Sequence, residues 1–256
     1  MVHMYVFVLW IFEKYKNVPK WRIKCFTIYM DKFIYYGHSC FMVETNGINL
    51  LFDPFITPNE LAANINITDI NPDYILISHG HSDHIFDAIT IAKQSDATVI
   101  CSWEIHEWLN KQGITKTHPM NVGGKWKFDF GSVKMTFAAH SSGLPDGSYG
   151  GVAAGFLVHT ANKTIYYSGD TGLNAEMKLI GELNRIDVCI LPIGDNFTMD
   201  YVDACTAAGF LYCNNIIGVH YDTFGFIKIN HKDAKDHFNQ HGRKLTLVNI
   251  GEIINL

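Results

Sequence analysis

The sequence predicts an α+β fold, a single domain made of two similar strand-rich halves. Three observations carry that expectation. Short apolar runs bounded by Gly, Asn, Asp and Pro recur from Met30 onward, the pattern of strands punctuated by turns. Helical stretches alternate with these runs in the middle of the chain, as they do where strands and helices share a core. A length of 256 residues with 48% hydrophobic and 18% charged residues suits one large folded domain or two small ones.

The elements follow in order. FIYYG and SCFMVET read as strands, and the second meets INLLFD across Asn46-Gly47, a dipeptide that favours a hairpin because both positions accept positive φ. Asp53-Pro54 stops the third strand, and residues 56–71 read as loop with a short helix. YILIS, at 74–78, is a strand that runs straight into HGHSDH. A helix over Ile85–Lys93, a strand over 97–101 and a helix over 103–112 stopped by Gly113 complete the first half.

The second half opens with strands at Lys125–Phe130 and Val133–Ala138. Residues 141–151 hold four glycines, three serines and one proline, which predicts a mobile loop able to cover a pocket. Strands at Gly155–His159 and Thr164–Ser168 turn at Ala161-Asn162. Then come a helix over Ala175–Leu183, a buried strand over Val188–Pro192, a helix over Tyr201–Leu211 and a strand over Ile216–Val219. A helix over Lys232–Gln240 and a strand over Lys244–Asn249 close the chain. No internal repeat, low-complexity tract or linker interrupts it.

The N-terminus stands apart. YVFVLWIF at 5–12 is far shorter than the ~20 residues that span a bilayer. No basic segment precedes it and no small-residue cleavage site follows. Residues 1–29 are therefore expected to be an appendage outside the fold, with 30–256 as the domain; a membrane-surface or partner-binding segment is the rival reading. Six cysteines, with no CxxC pair, read as buried free thiols and point to a reducing compartment, the cytoplasm. A net charge of −5 argues against a nucleic-acid partner.

The sharpest local signal is His79-Gly80-His81-Ser82-Asp83-His84. Imidazole and carboxylate suit borderline divalent metals, and four donors on a strand-to-helix loop can feed two adjacent ions. Ser82 or Asp83 as a plain helix cap is the rival reading. His140, Asp170 and His220 each close an apolar run, where active-site loops emerge. Asp53 has the same placement and is expected to orient a ligand or an imidazole N–H. His38 is expected to reach the site and hydrogen-bond substrate or Asp53, against a purely structural alternative.

On these motifs, together with Gly37-His38-Ser39, Ser168-Gly169-Asp170-Thr171-Gly172, Leu191-Pro192-Ile193-Gly194-Asp195 and His220-Tyr221-Asp222-Thr223-Phe224, residues 30–256 resemble the metallo-β-lactamase superfamily. Within it they look like the group of metal-dependent hydrolases (UPF0173-like) related to ascorbate-6-phosphate lactonase. The resemblance implies a four-layer αββα sandwich of two mixed sheets flanked by helices. It also implies two divalent metal ions, zinc first with manganese, iron or nickel as alternatives. His79, His81 and His140 would hold one, Asp83, His84 and His220 the other, and Asp170 would bridge them.

Such a pair supplies ionised water near neutral pH and stabilises the charge that develops on the substrate. The implied reaction is hydrolysis of an ester, lactone or phosphodiester bond of a small-molecule substrate, with Asp170, His38 and Asp53 as catalytic candidates. Tyr221, Asp222 and Phe224 are candidates for the substrate pocket; Asp222 stands where the group often has asparagine, and its carboxylate is expected to alter substrate preference. A nuclease of the RNA-processing type, a di-iron oxidoreductase and a non-catalytic small-molecule binder with the same fold are the alternatives. The sequence gives no sign of stable membrane insertion and leaves a homo-oligomer open.

Overall fold

The structure is a computed structural model that describes residues 30–256; the expectations for residues 1–29 lie outside the described part. The strands of the first half are β1 (Lys32–Gly37), β2 (Cys40–Thr45), β3 (Ile48–Phe52), β4 (Tyr74–Leu76), β5 (Thr98–Ser102) and β6 (Thr117–Met120). Its helices are α1 (Ser82–Ile85), α2 (Ala88–Ser95) and α3 (Trp103–Lys111). The second half supplies β7 (Lys125–Phe128), β8 (Gly131–Phe137), β9 (Ala154–His159), β10 (Thr164–Tyr167), β11 (Val188–Pro192), β12 (Asn215–Val219) and β13 (Lys244–Thr246). With these go α4 (Glu176–Leu183), α5 (Tyr201–Phe210) and α6 (His231–Gln240), and β14 (Ile253–Asn255) ends the described chain.

The strands form two sheets of seven, ordered β14-β1-β2-β3-β4-β5-β6 and β13-β12-β11-β10-β9-β8-β7. From β14 to β3 the first sheet is antiparallel, and from β3 to β6 parallel. The second repeats that pattern, antiparallel from β7 to β10 and parallel from β10 to β13. Both sheets are therefore mixed, and each half contributes the same succession of hairpins followed by strand–helix crossovers.

Alternation along the strands builds the layers, because successive side chains leave a strand on opposite faces. Leu50, Leu76 and Ile100 point inward with Phe33, Phe41 and Phe52, against Val133, Phe156, Tyr167 and Ile190 of the other sheet. Leu51, Ile75 and Val99 point outward onto Ile91, Ile105 and Leu109 of the first helices. Tyr166, Cys189 and Leu191 meet Met177, Ala204 and Phe238 of α4, α5 and α6. The result is an α+β sandwich with helices outside both sheets. Strands buried on both faces explain the uninterrupted apolar runs such as VCILP. The five cysteines among the described residues are free and buried in these layers.

Four expectations need correction. The helix placed at Ile85–Lys93 is two helices, because Asp87 turns its carboxylate to the backbone N–H groups of Ile56 and Thr57 (2.6 and 2.9 Å) between them. β6, THPM, has no strand pattern in its sequence; its Pro119 is tolerated because β6 is an edge. The last strand stops at Thr246, and the chain crosses over to add β14 beside β1. The 141–151 loop is fastened rather than free. Gly80 N–H donates to Ser142 Oγ, Trp108 Nε1 to Asp146 and Ser102 Oγ to the Gly150 carbonyl.

The two sheets are stitched at one edge. Ala154 N–H donates to the Ser78 carbonyl at 3.0 Å, and His220 N–H to the His38 carbonyl at 2.8 Å. Gly169 lies at this seam with φ +62, and a Cβ there would stand 2.3 Å from the Ala154 carbonyl oxygen. Gly169→Ala is expected to lower stability by about 2–3 kcal/mol, from the left-handed backbone plus the clash. The urea midpoint of the variant checks this; an unchanged midpoint would show that the seam relaxes freely.

Candidate metal centre

The residues that converge do so because strands of both sheets end at the same edge. β4 delivers His79 and His81, with Asp83 and His84 following in the first turn of α1. His140 follows β8, Asp170 follows β10, and His220 follows β12. His38 sits in the turn between β1 and β2. His38, Asp53 and His220 all have positive φ (56, 40 and 54°), an uncommon conformation for these residue types that redirects each side chain at its strand end.

Two groups of donors result. The ligating atoms of His79, His81 and His140 lie within 4.8 Å of one another. Those of His38, Asp83, His84 and His220 do the same. Asp170 reaches both groups: its Oδ2 is 3.1 Å from His84 Nε2, 2.9 Å from His220 Nε2 and 3.8 Å from His140 Nε2. His38 Nε2 lies 3.0 Å from Asp83 Oδ2 and its Nδ1 3.1 Å from Thr223 Oγ1. His38 thus lies at the centre as expected; of its two expected partners, substrate or Asp53, it does not meet Asp53, because the turn at Gly37-His38 carries the ring to the Asp83 side.

Asp53 is fully buried and accepts four hydrogen bonds. Ser78 N–H, Ser78 Oγ and Tyr167 Oη donate to it at 2.7, 2.6 and 2.6 Å, and His84 Nδ1 lies 2.9 Å away. These contacts fix the tautomers. Because Ser78 Oγ gives its proton to Asp53, it accepts from His79 Nδ1 at 2.9 Å, so His79 Nε2 carries a lone pair. His84 likewise donates through Nδ1, so its Nε2, facing the Asp170 carboxylate, is the atom left to take a proton or a cation. Ser78 and Tyr167 were not singled out from sequence; a serine beside a histidine and a strand tyrosine carry no signal of their own.

The electrostatics fit a cation at this place. Burial lowers the pKa of His79 well below the usual value, and His84 adds to the effect. Burial likewise holds His38 down at about 4 and lowers His81 and His140. Such imidazoles are neutral at neutral pH and offer lone pairs. Burial pushes the Asp170 carboxyl up, but His220 and His84 outweigh it and hold it well below the usual range. For His84, burial opposes the charge while Asp170, Asp83 and Asp53 raise the pKa well above the usual value. A positive charge is thus demanded between the His84 ring and the Asp170 carboxylate. Asp170 Oδ1, buried and without a hydrogen-bond partner, is a further acceptor that a metal would satisfy. Nitrogen and oxygen donors without thiolate suit zinc or a neighbouring divalent transition metal.

A cavity of about 960 Å³ opens over the centre, with His81, Asp83, His140, Asp170 and His220 on its floor. Phe224, with Phe55, Pro58, Phe197 and Phe226, walls it. Tyr221 and Asp222 do not line it. The Tyr221 ring is buried in the core under the second sheet, because the chain turns at Asp222 (φ +63°). Asp222 instead ties the following loop, accepting from Ile229 N–H at 3.1 Å and facing His231 Nε2 at 2.6 Å. Of the 141–151 loop, Ser141 alone reaches the cavity.

Two outcomes follow from these partners. Asp53→Ala leaves His84, Ser78 and Tyr167 without their acceptor and is expected to weaken metal retention roughly 10–100-fold, measured by chelator competition. Retention equal to wild type would mean that the His84 tautomer is held by other groups. Asp222→Ala is expected to lose about 1–2 kcal/mol of stability with metal content intact. Calorimetric melting and elemental analysis check this pair, and a variant that melts normally but loses metal would place Asp222 at the centre after all.

The comparisons agree with this geometry. The family model described as a beta-lactamase superfamily domain matches residues 32–220. A UPF0173 metal-dependent hydrolase of Flavobacterium johnsoniae is 48% identical over 225 residues, covering 88% of this chain and 100% of the relative. One from Methylacidiphilum infernorum is 49% identical over 225 residues, with the same coverage of 88% and 100%. A solved metallo hydrolase of Ignicoccus hospitalis superposes with a TM-score of 0.81 at 33% identity, covering 89% of this chain and 99% of that one. The chain belongs to the UPF0173 metal-dependent hydrolase family of the metallo-β-lactamase superfamily.

Proposed function

We propose that the protein hydrolyses an ester, lactone or phosphodiester bond of a small molecule with a pair of divalent cations, zinc in the first instance. The observation that carries the reading is Asp170 Oδ2, which lies within 3.8 Å of imidazoles from both donor groups. His79, His81 and His140 would hold one cation, and Asp83, His84 and His220 the other, with Asp170 between. Bound there, the pair would supply a water nucleophile ionised near neutral pH and an electrophile for the oxygen that gains charge.

The chain's own groups would do the rest. Asp170 sets the separation of the two sites. Asp53 keeps the His84 Nε2 lone pair free by taking the Nδ1 proton. His38 acts as a positioning residue: held by Thr223, it fixes the rotation of the Asp83 carboxylate. A cavity of about 960 Å³ suits a small-molecule substrate. The motifs' resemblance to a lactonase is the reason a lactone is among the bonds to be tried.

No helix among the described residues is long and apolar enough to cross a membrane. A nuclease reading gains nothing from the site, since among the described residues no lysine or arginine lines the cavity and nucleic-acid affinity depends on such groups.

Exhaustive chelation is expected to abolish turnover of a broad ester, lactone and phosphodiester panel, and zinc or manganese to restore it. Asp170→Ala is expected to lower turnover roughly 100-fold or more and to reduce metal content at both positions. Elemental analysis beside the rate assay reads both. Full activity in the stripped protein, or normal metal and turnover in the variant, would end this assignment.

A further inference from the structure

We infer that the cavity takes a neutral substrate whose acyl or leaving group is an alkyl chain or an aromatic ring, and that Phe197 and Phe226 select it. The inference rests on the hydrolytic reading above and names the class of molecule that reading leaves open.

The cavity is divided by chemistry. The proposed metal ligands share its lining with Phe55, Pro58, Phe224, Phe197 and Phe226, an apolar run that begins at Phe55 and Phe224 beside His38 (5.4 and 5.2 Å). Among the described residues no lysine or arginine lines it, and apart from the proposed metal ligands the one ionisable lining group is Glu60. A phosphate or carboxylate carried away from the reacting bond would lose its hydration without gaining a counter-charge, and Glu60 would repel it. A neutral apolar group meets no such penalty.

The apolar wall is also presented outward. Phe197 is 50% and Phe226 78% exposed, and their rings stand edge to face at 6.4 Å. Phe224 continues the surface inward, with its ring 5.2 Å from that of His38 and 6.2 Å from Phe55. Neighbouring exposed aromatics leading to a polar floor are the mark of a ligand groove. Both rim residues stand on anchored backbone. Phe197 lies in a turn closed by Asp195 N–H to the Met199 carbonyl, and Met199 N–H donates to the carbonyl of Thr171, the neighbour of Asp170. Phe226 precedes Ile227, which is fully buried and accepts from Asp222 N–H at 2.8 Å. A chain reaching from the centre would therefore cover rings already in place.

For an ester of this class, hydrolysis joins the water oxygen to the acyl carbon and breaks the acyl–oxygen bond. The proton released by the water passes to the departing alcohol.

Calorimetric titration of the full chain, zinc-loaded with its content verified, with acetohydroxamate and octanohydroxamate tests the inference without requiring turnover. Octanohydroxamate is expected to bind roughly 100-fold tighter, less than full burial of its six additional methylenes would give. Phe197→Ala and Phe226→Ala are expected to cut that ratio at least fivefold. In parallel, an aryl pentanoate should be cleaved at least tenfold faster in kcat/KM than the aryl hemisuccinate, which carries a carboxylate of similar reach. Equal affinity for the two hydroxamates, or equal cleavage of the two esters, overturns the inference while metal-dependent hydrolysis stands. Failure to bind zinc or manganese overturns the hydrolytic reading and this one with it. Variants that leave the ratio intact but change the sedimentation mass would assign the rim to contact between copies and overturn it as well.

Discussion

The Asp170 carboxylate is faced by two imidazole nitrogens, His84 Nε2 at 3.1 Å and His220 Nε2 at 2.9 Å, one from each sheet. This contact is the constraint on which the centre depends. His84 has already committed its other nitrogen to Asp53, so only an added positive charge reconciles the ring with the carboxylate. The two halves of the molecule meet here, and what they share is a place for a cation. Burial makes the requirement stringent, since an unpaired carboxylate at this depth would cost several kcal/mol.

Backbone geometry is part of the same arrangement. His38, Asp53 and His220 occupy the left-handed region, at about 1–2 kcal/mol each, and packing holds them there. The hydrogen bond from His220 N–H to the His38 carbonyl locks two of these residues together across the sheet seam. Gly169, which no larger residue fits, sets the Asp170 backbone against Ala154. Conformational energy is thus concentrated where donor directions must be exact to within a fraction of an ångström, and the all-apolar layers on either side supply the stability that sustains it.

Much of this was legible before any coordinates. Asn46-Gly47 marks its hairpin because both residues take positive φ, and runs such as VCILP could only be buried strands. Three histidines and an aspartate within six residues announce a metal, and His140, Asp170 and His220 are visible as polar residues closing apolar runs. What sequence hides is pairing and direction. β6 is polar and holds a proline, and β14 is three residues long with a partner more than two hundred positions away. The chain breaks between α1 and α2 because Asp87 serves a distant loop. Tyr221 and Phe224 are both aromatics beside His220, yet a left-handed Asp222 between them sends one to the core and the other to the cavity. That His38 reaches the centre is legible, but its partner there is not: a turn with two positive φ angles carries it to Asp83 and away from Asp53. The aromatic rim was invisible because Phe197 and Phe226 look like any two of 17 phenylalanines.

The order in which the strands are made differs from the order in which they lie. β1 enters the first sheet almost at the beginning of the described chain, but its outer neighbour is β14, which follows every strand of the second sheet. Among the described strands, β1 therefore has no outer neighbour until β14 is made, and the backbone N–H and C=O groups of such an edge can pair with other chains. Only after the second sheet has emerged can residues 253–255 return and seal that flank. Closure of that flank thus waits on the synthesis of β7 to β13, and until it happens the β1 edge is a place where another chain can pair.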